Sequence, residues 1–97
     1  MSYALSKSKR QNKKYTIISP DEKIPIHFGA KGYEDYTTHK DPERQKRYIA
    51  RHQKRENWTK SGINTAGFWS RWLLWNKPTL VDSVKDTEKR FGIKIKI

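Results

Sequence analysis

Arg44, Arg47, Arg51, Lys54 and Arg55 recur at a spacing that, at about 100° per residue, gathers them into one arc of roughly 100° on a helix. Guanidinium groups one turn apart suit contact with successive phosphates, because each can make bidentate, charge-assisted hydrogen bonds. A solvated helix face is the ordinary fate of such a run, and the charge balance argues against it. There are 22 Lys and Arg against 10 Asp and Glu, a formal net charge of +12, so too few acids exist to neutralise the face from within. Lys7, Lys9, Arg10, Lys13 and Lys14 form a second basic cluster, and residues 1–14 contain no acid. That composition predicts a flexible arm that orders on an anionic surface. Lys-Ser-Lys-Arg at 7–10 also has the composition of a nuclear-import address.

Lys60 belongs with these cations. The loop Thr59-Lys60-Ser61-Gly62 leads to Thr65 at a helix start, where free N–H groups can meet an anion, although plain capping explains the loop as well. No Gly-x-x-x-x-Gly-Lys-Ser/Thr is present, so this is not a nucleotide-binding P-loop. His52 and Glu56 stand at a helical spacing that can share a metal, but no third ligand has a recognised spacing, and neither metal nor cofactor is expected. His39 with Asp41, or Glu34 with Asp35, can be cast as acid and base; no nucleophile motif accompanies them, and no enzyme is expected.

Phe68, Trp69, Trp72, Leu73 and Trp75 cover an arc wider than one packing seam needs. A small domain must draw its buried area from few side chains, so most of this cluster is expected in the core. Trp58 is the aromatic expected at the surface, and Trp58 with Arg71 are the expected contacts for a partner protein. The absence of Cys excludes disulfide staples and thiolate metal sites and points to an intracellular setting. The run Trp72-Leu73-Leu74-Trp75 is far shorter than the ~20 residues that span a bilayer, so no membrane partner is expected.

The elements that must position these groups follow from turn and cap chemistry. Beyond the arm over 1–14, residues 15–97 are expected to form a single small α+β domain. Tyr15 to Ser19 and Ile24 to Phe28 read as a hairpin across Pro20-Asp21-Glu22, with Pro25 marking an edge strand. Asp41 and Pro42 open a helix expected to reach Glu56; Thr65 caps a second, stopped by Pro78; Thr79 opens a third that ends at Gly92. Ile93-Lys94-Ile95-Lys96-Ile97 alternates as a half-buried strand. The expected architecture is a small sheet, hairpin plus C-terminal strand, packed with about three helices.

His27-Phe28-Gly29-Ala30-Lys31-Gly32-Tyr33, then His39 to Arg44, then the block from Thr65-Ala66-Gly67-Phe68-Trp69-Ser70-Arg71-Trp72 to Thr79, resemble a family of small basic proteins encoded by nucleocytoplasmic large DNA viruses, the giant viruses. The resemblance runs from about Ile26 to Phe91, and that family has no assigned activity. It implies a viral setting: a virion, and in the host the cytoplasmic virus factory or the nucleus. Together these readings predict a non-enzymatic polyanion-binding protein, a sequence-independent genome-associated virion component with no small-molecule substrate. Engagement of about six phosphates would give a log-affinity slope of roughly −5 against log salt on duplex DNA. The alternative is a minor capsid, cement or scaffold protein that binds acidic faces of larger shell proteins.

Overall fold

Tyr3 and Leu5 alternate with Ala4 and Ser6, which is the period of a strand with one face to a core. In the computed structural model, which describes residues 2–21 and 25–97, Ser2–Lys7 form β1, Lys13–Ile18 β2, Pro25–Ala30 β3 and Lys94–Lys96 β4. They make one four-stranded sheet in the order β3-β2-β1-β4. β2 runs antiparallel to both β1 and β3, and β4 joins β1 in parallel. The hairpin over β2 and β3 is as expected, with Pro25 on the edge strand; Glu22 of the expected turn and the strand start at Ile24 lie outside the described residues.

The structure replaces the flexible arm expected over 1–14. Ser2–Lys7 and the start of β2 at Lys13 and Lys14 are built into the sheet, with a turn between them, and β1 is an interior strand paired on both sides. The lysines obscured the pattern, but strand formation follows alternation and burial rather than charge. Leu5 is buried opposite Ile17, and Tyr3 opposite Ile95 packs its ring 5.3 Å from that of Trp69. At the other end of the chain, pairing stops at Lys96. Ile95 is buried, but Ile97 is exposed, so the three isoleucines expected on one buried face contribute unequally.

Helices cover the face of the sheet that carries Leu5, Ile17, Phe28 and Ile95. A short α1, Tyr36–His39, precedes α2, Pro42–His52. After a 3-10 turn at Lys60–Gly62 comes α3, Ala66–Trp69, which continues as a π-helical turn over Ser70–Leu74. α4 is Leu80–Phe91, capped by Thr79 accepting from the Asp82 N–H and stopped by Gly92 in the left-handed region at φ 65°. The α+β class read from the sequence holds. α3 and its π-turn lie between the sheet and α4, so the wide apolar arc is covered from two sides. Trp69 is fully buried and its indole N–H donates to the Ile63 carbonyl at 2.7 Å; that of Trp72 donates to Trp58 at 2.9 Å.

Candidate functional site

Asp41 caps α2 by accepting from the Glu43 N–H at 3.0 Å, and Pro42 fills the first turn, where no backbone donor is needed. The helix ends at His52, a turn short of the expected Glu56. Continuing it would stack Arg47, Arg51 and Arg55 one turn apart, a like-charge column that destabilises a helix. The chain instead tightens over 53–55, and Glu56 turns back so that its carboxylate accepts from His52 Nδ1 and from the Trp58 indole, both at 2.9 Å. Lys54 and Arg55 therefore leave the row that the helical spacing predicts. Both are exposed, and neither faces the cleft described next.

Arg44, Arg47 and Arg51 do share a face, which forms one wall of a cleft of ≈ 760 Å³. The opposite wall is the β2–β3 hairpin, with Lys13 and Lys14 at the start of β2 and the segment Tyr33-Glu34-Asp35 beyond β3. Five cations and three carboxylates thus line one cavity, and the carboxylates are engaged locally. Asp35 caps α1, accepting from the Thr37 N–H at 3.0 Å and from the Thr37 hydroxyl, and its other oxygen takes the Lys14 ammonium at 2.6 Å. Glu34 meets Arg44 at 3.3 Å. Glu56 is held by His52 and Trp58 as above. Among the described residues Lys13, Arg47 and Arg51 have no carboxylate partner, and Arg47 and Arg51 are exposed.

The floor of the cleft is aromatic. Tyr48 is buried between Trp75, stacked at 4.2 Å and 3° between planes, and His52 at 4.2 Å. Burial, and then the nearby Glu56 carboxylate, push the Tyr48 phenol well above its ordinary pKa, so that phenol stays neutral through the physiological range. At the rim Tyr33 is 75% exposed. It follows Gly32, whose φ of 87° lets the chain turn back on itself with the Tyr33 N–H donating to the Ala30 carbonyl at 3.3 Å.

The remaining predicted site residues lie elsewhere. Lys7 and Lys9 border a smaller groove of ≈ 240 Å³ with Thr16, Ile18 and His27, on the sheet face that the helices leave open. Arg10 is exposed in the β1–β2 turn. Lys60 is exposed in the 3-10 turn, where Asn57, Thr59 and Ser61 satisfy one another's polar groups, and Thr65 accepts from the Phe68 N–H; capping accounts for this loop. Trp58, expected at the surface, is half-buried because its indole is tied to Glu56. Arg71 lies over it at 5.3 Å and over Trp72 at 4.4 Å, and donates to the Trp75 carbonyl at 2.9 Å. Burial, and then the like charge of Arg90, lower the Arg71 pKa. This pair is thus packed against the fold rather than presented as free anchors. Sequence reasoning missed Tyr33, Glu34 and Asp35 as parts of the cleft, although Gly32 beside Tyr33 is a signal for a projecting turn.

Among the described residues, no group of three or more His, Cys, Asp or Glu could hold a metal ion, and no helix is long and apolar enough to cross a membrane. The sequence pattern described as "Family of unknown function (DUF5754)" matches residues 3–52, from β1 to the end of α2. That match takes in Lys13, Tyr33, Arg44, Arg47 and Arg51 of the cleft. No curated protein matches the chain, and no solved structure matches it.

Proposed function

The chain belongs to that family of unknown function, and from this premise we propose that it is a non-enzymatic, sequence-independent nucleic-acid-binding protein that grips the phosphate backbone in the cleft between α2 and the β2–β3 hairpin. The observation that carries the reading is the convergence of Lys13, Arg47 and Arg51, from two elements far apart in sequence, on one open cavity without carboxylate partners among the described residues. The protein has satisfied Asp35 and Glu56 internally and left these cations for something external. Phosphate contacts carry no sequence information, so a grip made by these cations is electrostatic and indifferent to sequence. The resemblance to the viral family supplies a setting in which such a protein accompanies a packaged genome.

The cleft also revises the expected salt dependence. Three unpaired cations replace the six contacts counted from the sequence, so log affinity should fall against log salt with a slope of about −2 on a single strand and about −3 on a duplex. Fluorescence anisotropy with a labelled mixed-sequence oligonucleotide between 50 and 200 mM salt measures it. Arg47→Glu with Arg51→Glu should abolish most of the salt-dependent binding. A flat salt response, or a double variant that binds like the parent, would falsify the proposal.

A further inference from the structure

We propose that the cleft is a site for single-stranded nucleic acid, in which Arg47 and Arg51 hold the backbone while a base stacks on the ring of Tyr33. This rests on the nucleic-acid reading above and names the form of the ligand. Of the tyrosines, Tyr15 packs on Phe28, Tyr36 near His39, Tyr48 on Trp75 and Tyr3 on Trp69. Tyr33 has no ring neighbour among the described residues and is 75% exposed, yet it lines the same cavity as the unpaired cations. A solvated surface tyrosine is the ordinary alternative, and its placement weighs against that. The ring is carried on the turn made by Lys31 and Gly32, which the Lys31 N–H anchors to the Asn12 carbonyl at 3.1 Å, so it is held at the rim.

Backbone cations beside an exposed aromatic face are what a single strand needs, since every base has a π-face and the phosphates supply the charge. A duplex offers the same phosphates on a convex surface, with its bases stacked on each other and out of reach of Tyr33. A cavity of ≈ 760 Å³ also falls in the size range of sites that enclose small ligands, which suits a short stretch of one strand. Tyr48 and Trp75, stacked at 4.2 Å, give the floor beneath the strand a flat aromatic surface.

The test compares four ligands of equal length on the full chain: oligo-dT, mixed-sequence single strand, duplex, and an abasic single strand that keeps the phosphates and lacks the bases. The expected result is that the protein binds oligo-dT at least fivefold more tightly than the abasic strand. Tyr33→Ala should lose that fivefold while binding duplex and abasic strand as the parent does; Tyr33→Phe should restore it. The exposed position makes either substitution harmless to folding, which a matched thermal melt verifies. Equal binding of abasic and normal strands, preference for duplex, or a Tyr33→Ala variant that still discriminates overturns the single-strand assignment and leaves the electrostatic grip standing. Failure to bind any of the four in a salt-dependent way overturns both.

Discussion

Replacing Glu34 by Gln should tighten nucleic-acid binding. In the free protein Glu34 holds Arg44 at 3.3 Å, and both side chains are well exposed, at 60% and 40%. An exposed pair of this kind contributes about 0.2–1 kcal/mol to stability, so the variant should melt at most ~4–8 °C lower. Two effects on binding act in the opposite direction. For a phosphate bound ~6 Å from the carboxylate, removing that carboxylate would relieve about 0.7 kcal/mol of repulsion at the dielectric of water, or about threefold in affinity. Arg44 is also released to meet a fourth phosphate, which should steepen the single-strand salt slope from about −2 to about −3. The control is Glu43→Gln, the same change of charge on the same helix, at a residue that pairs with Lys46 at 3.7 Å and does not line the cleft. The assay is anisotropy over a salt series with both variants. If Glu34→Gln binds no more tightly than the parent, the site is wrongly drawn, and if Glu43→Gln gains as much, net charge rather than the cleft governs binding.

Other substitutions probe the frame that shapes the cleft. Asp35→Ala removes the α1 cap, worth ~1 kcal/mol, and strands Lys14, which is one-fifth exposed and so recovers part of its hydration; a loss of about 2–3 kcal/mol in urea unfolding is expected. Gly62→Ala would set its Cβ 2.1 Å from the Asn57 carbonyl oxygen, a clash expected to cost at least ~1–3 kcal/mol; an undiminished melting temperature would contradict this loop conformation. Tyr48→Phe tests the cleft floor by pH. Because the folded phenol titrates above its ordinary value, its contribution is fully present below pH ~10 and lost as pH rises beyond that; the phenylalanine variant should lack this alkaline loss in denaturant midpoints compared across pH 9 and 11.

Local chemistry was legible in the sequence wherever one residue decides a backbone state. Asp41, Thr65, Thr79 and Gly92 begin or end helices where their side chains, or the lack of one, require it. The Trp-rich block announced a core for the same reason: so much apolar area in so few residues has nowhere else to go. What stayed hidden was decided by partners distant in sequence. β1 reads as a charged tail until Ile17 and Ile95 are known to lie opposite Leu5 and Tyr3. The end of α2 depends on Glu56 finding His52 and Trp58. The site was half legible: helical spacing put Arg44, Arg47 and Arg51 on one face, but not the meeting with Lys13 across a cavity, nor the selective engagement of Asp35 and Glu56 that leaves some cations unpaired and ties up others.

The parallel pairing of β1 with β4 has a consequence for biosynthesis. Ser2 stands opposite Lys94, so one flank of β1 waits during synthesis for β4, which follows every other described element in the chain. Until then its strand neighbour among the described residues is β2, and the open edge of backbone donors and acceptors invites other chains. Closure across such a separation is slow to nucleate, and it rests on a ladder of three residue pairs. A nascent chain stalled after α4 would therefore be sticky rather than merely incomplete, and Lys94 and Lys96, spaced along that final strand, carry the charge that discourages misplaced edge pairing.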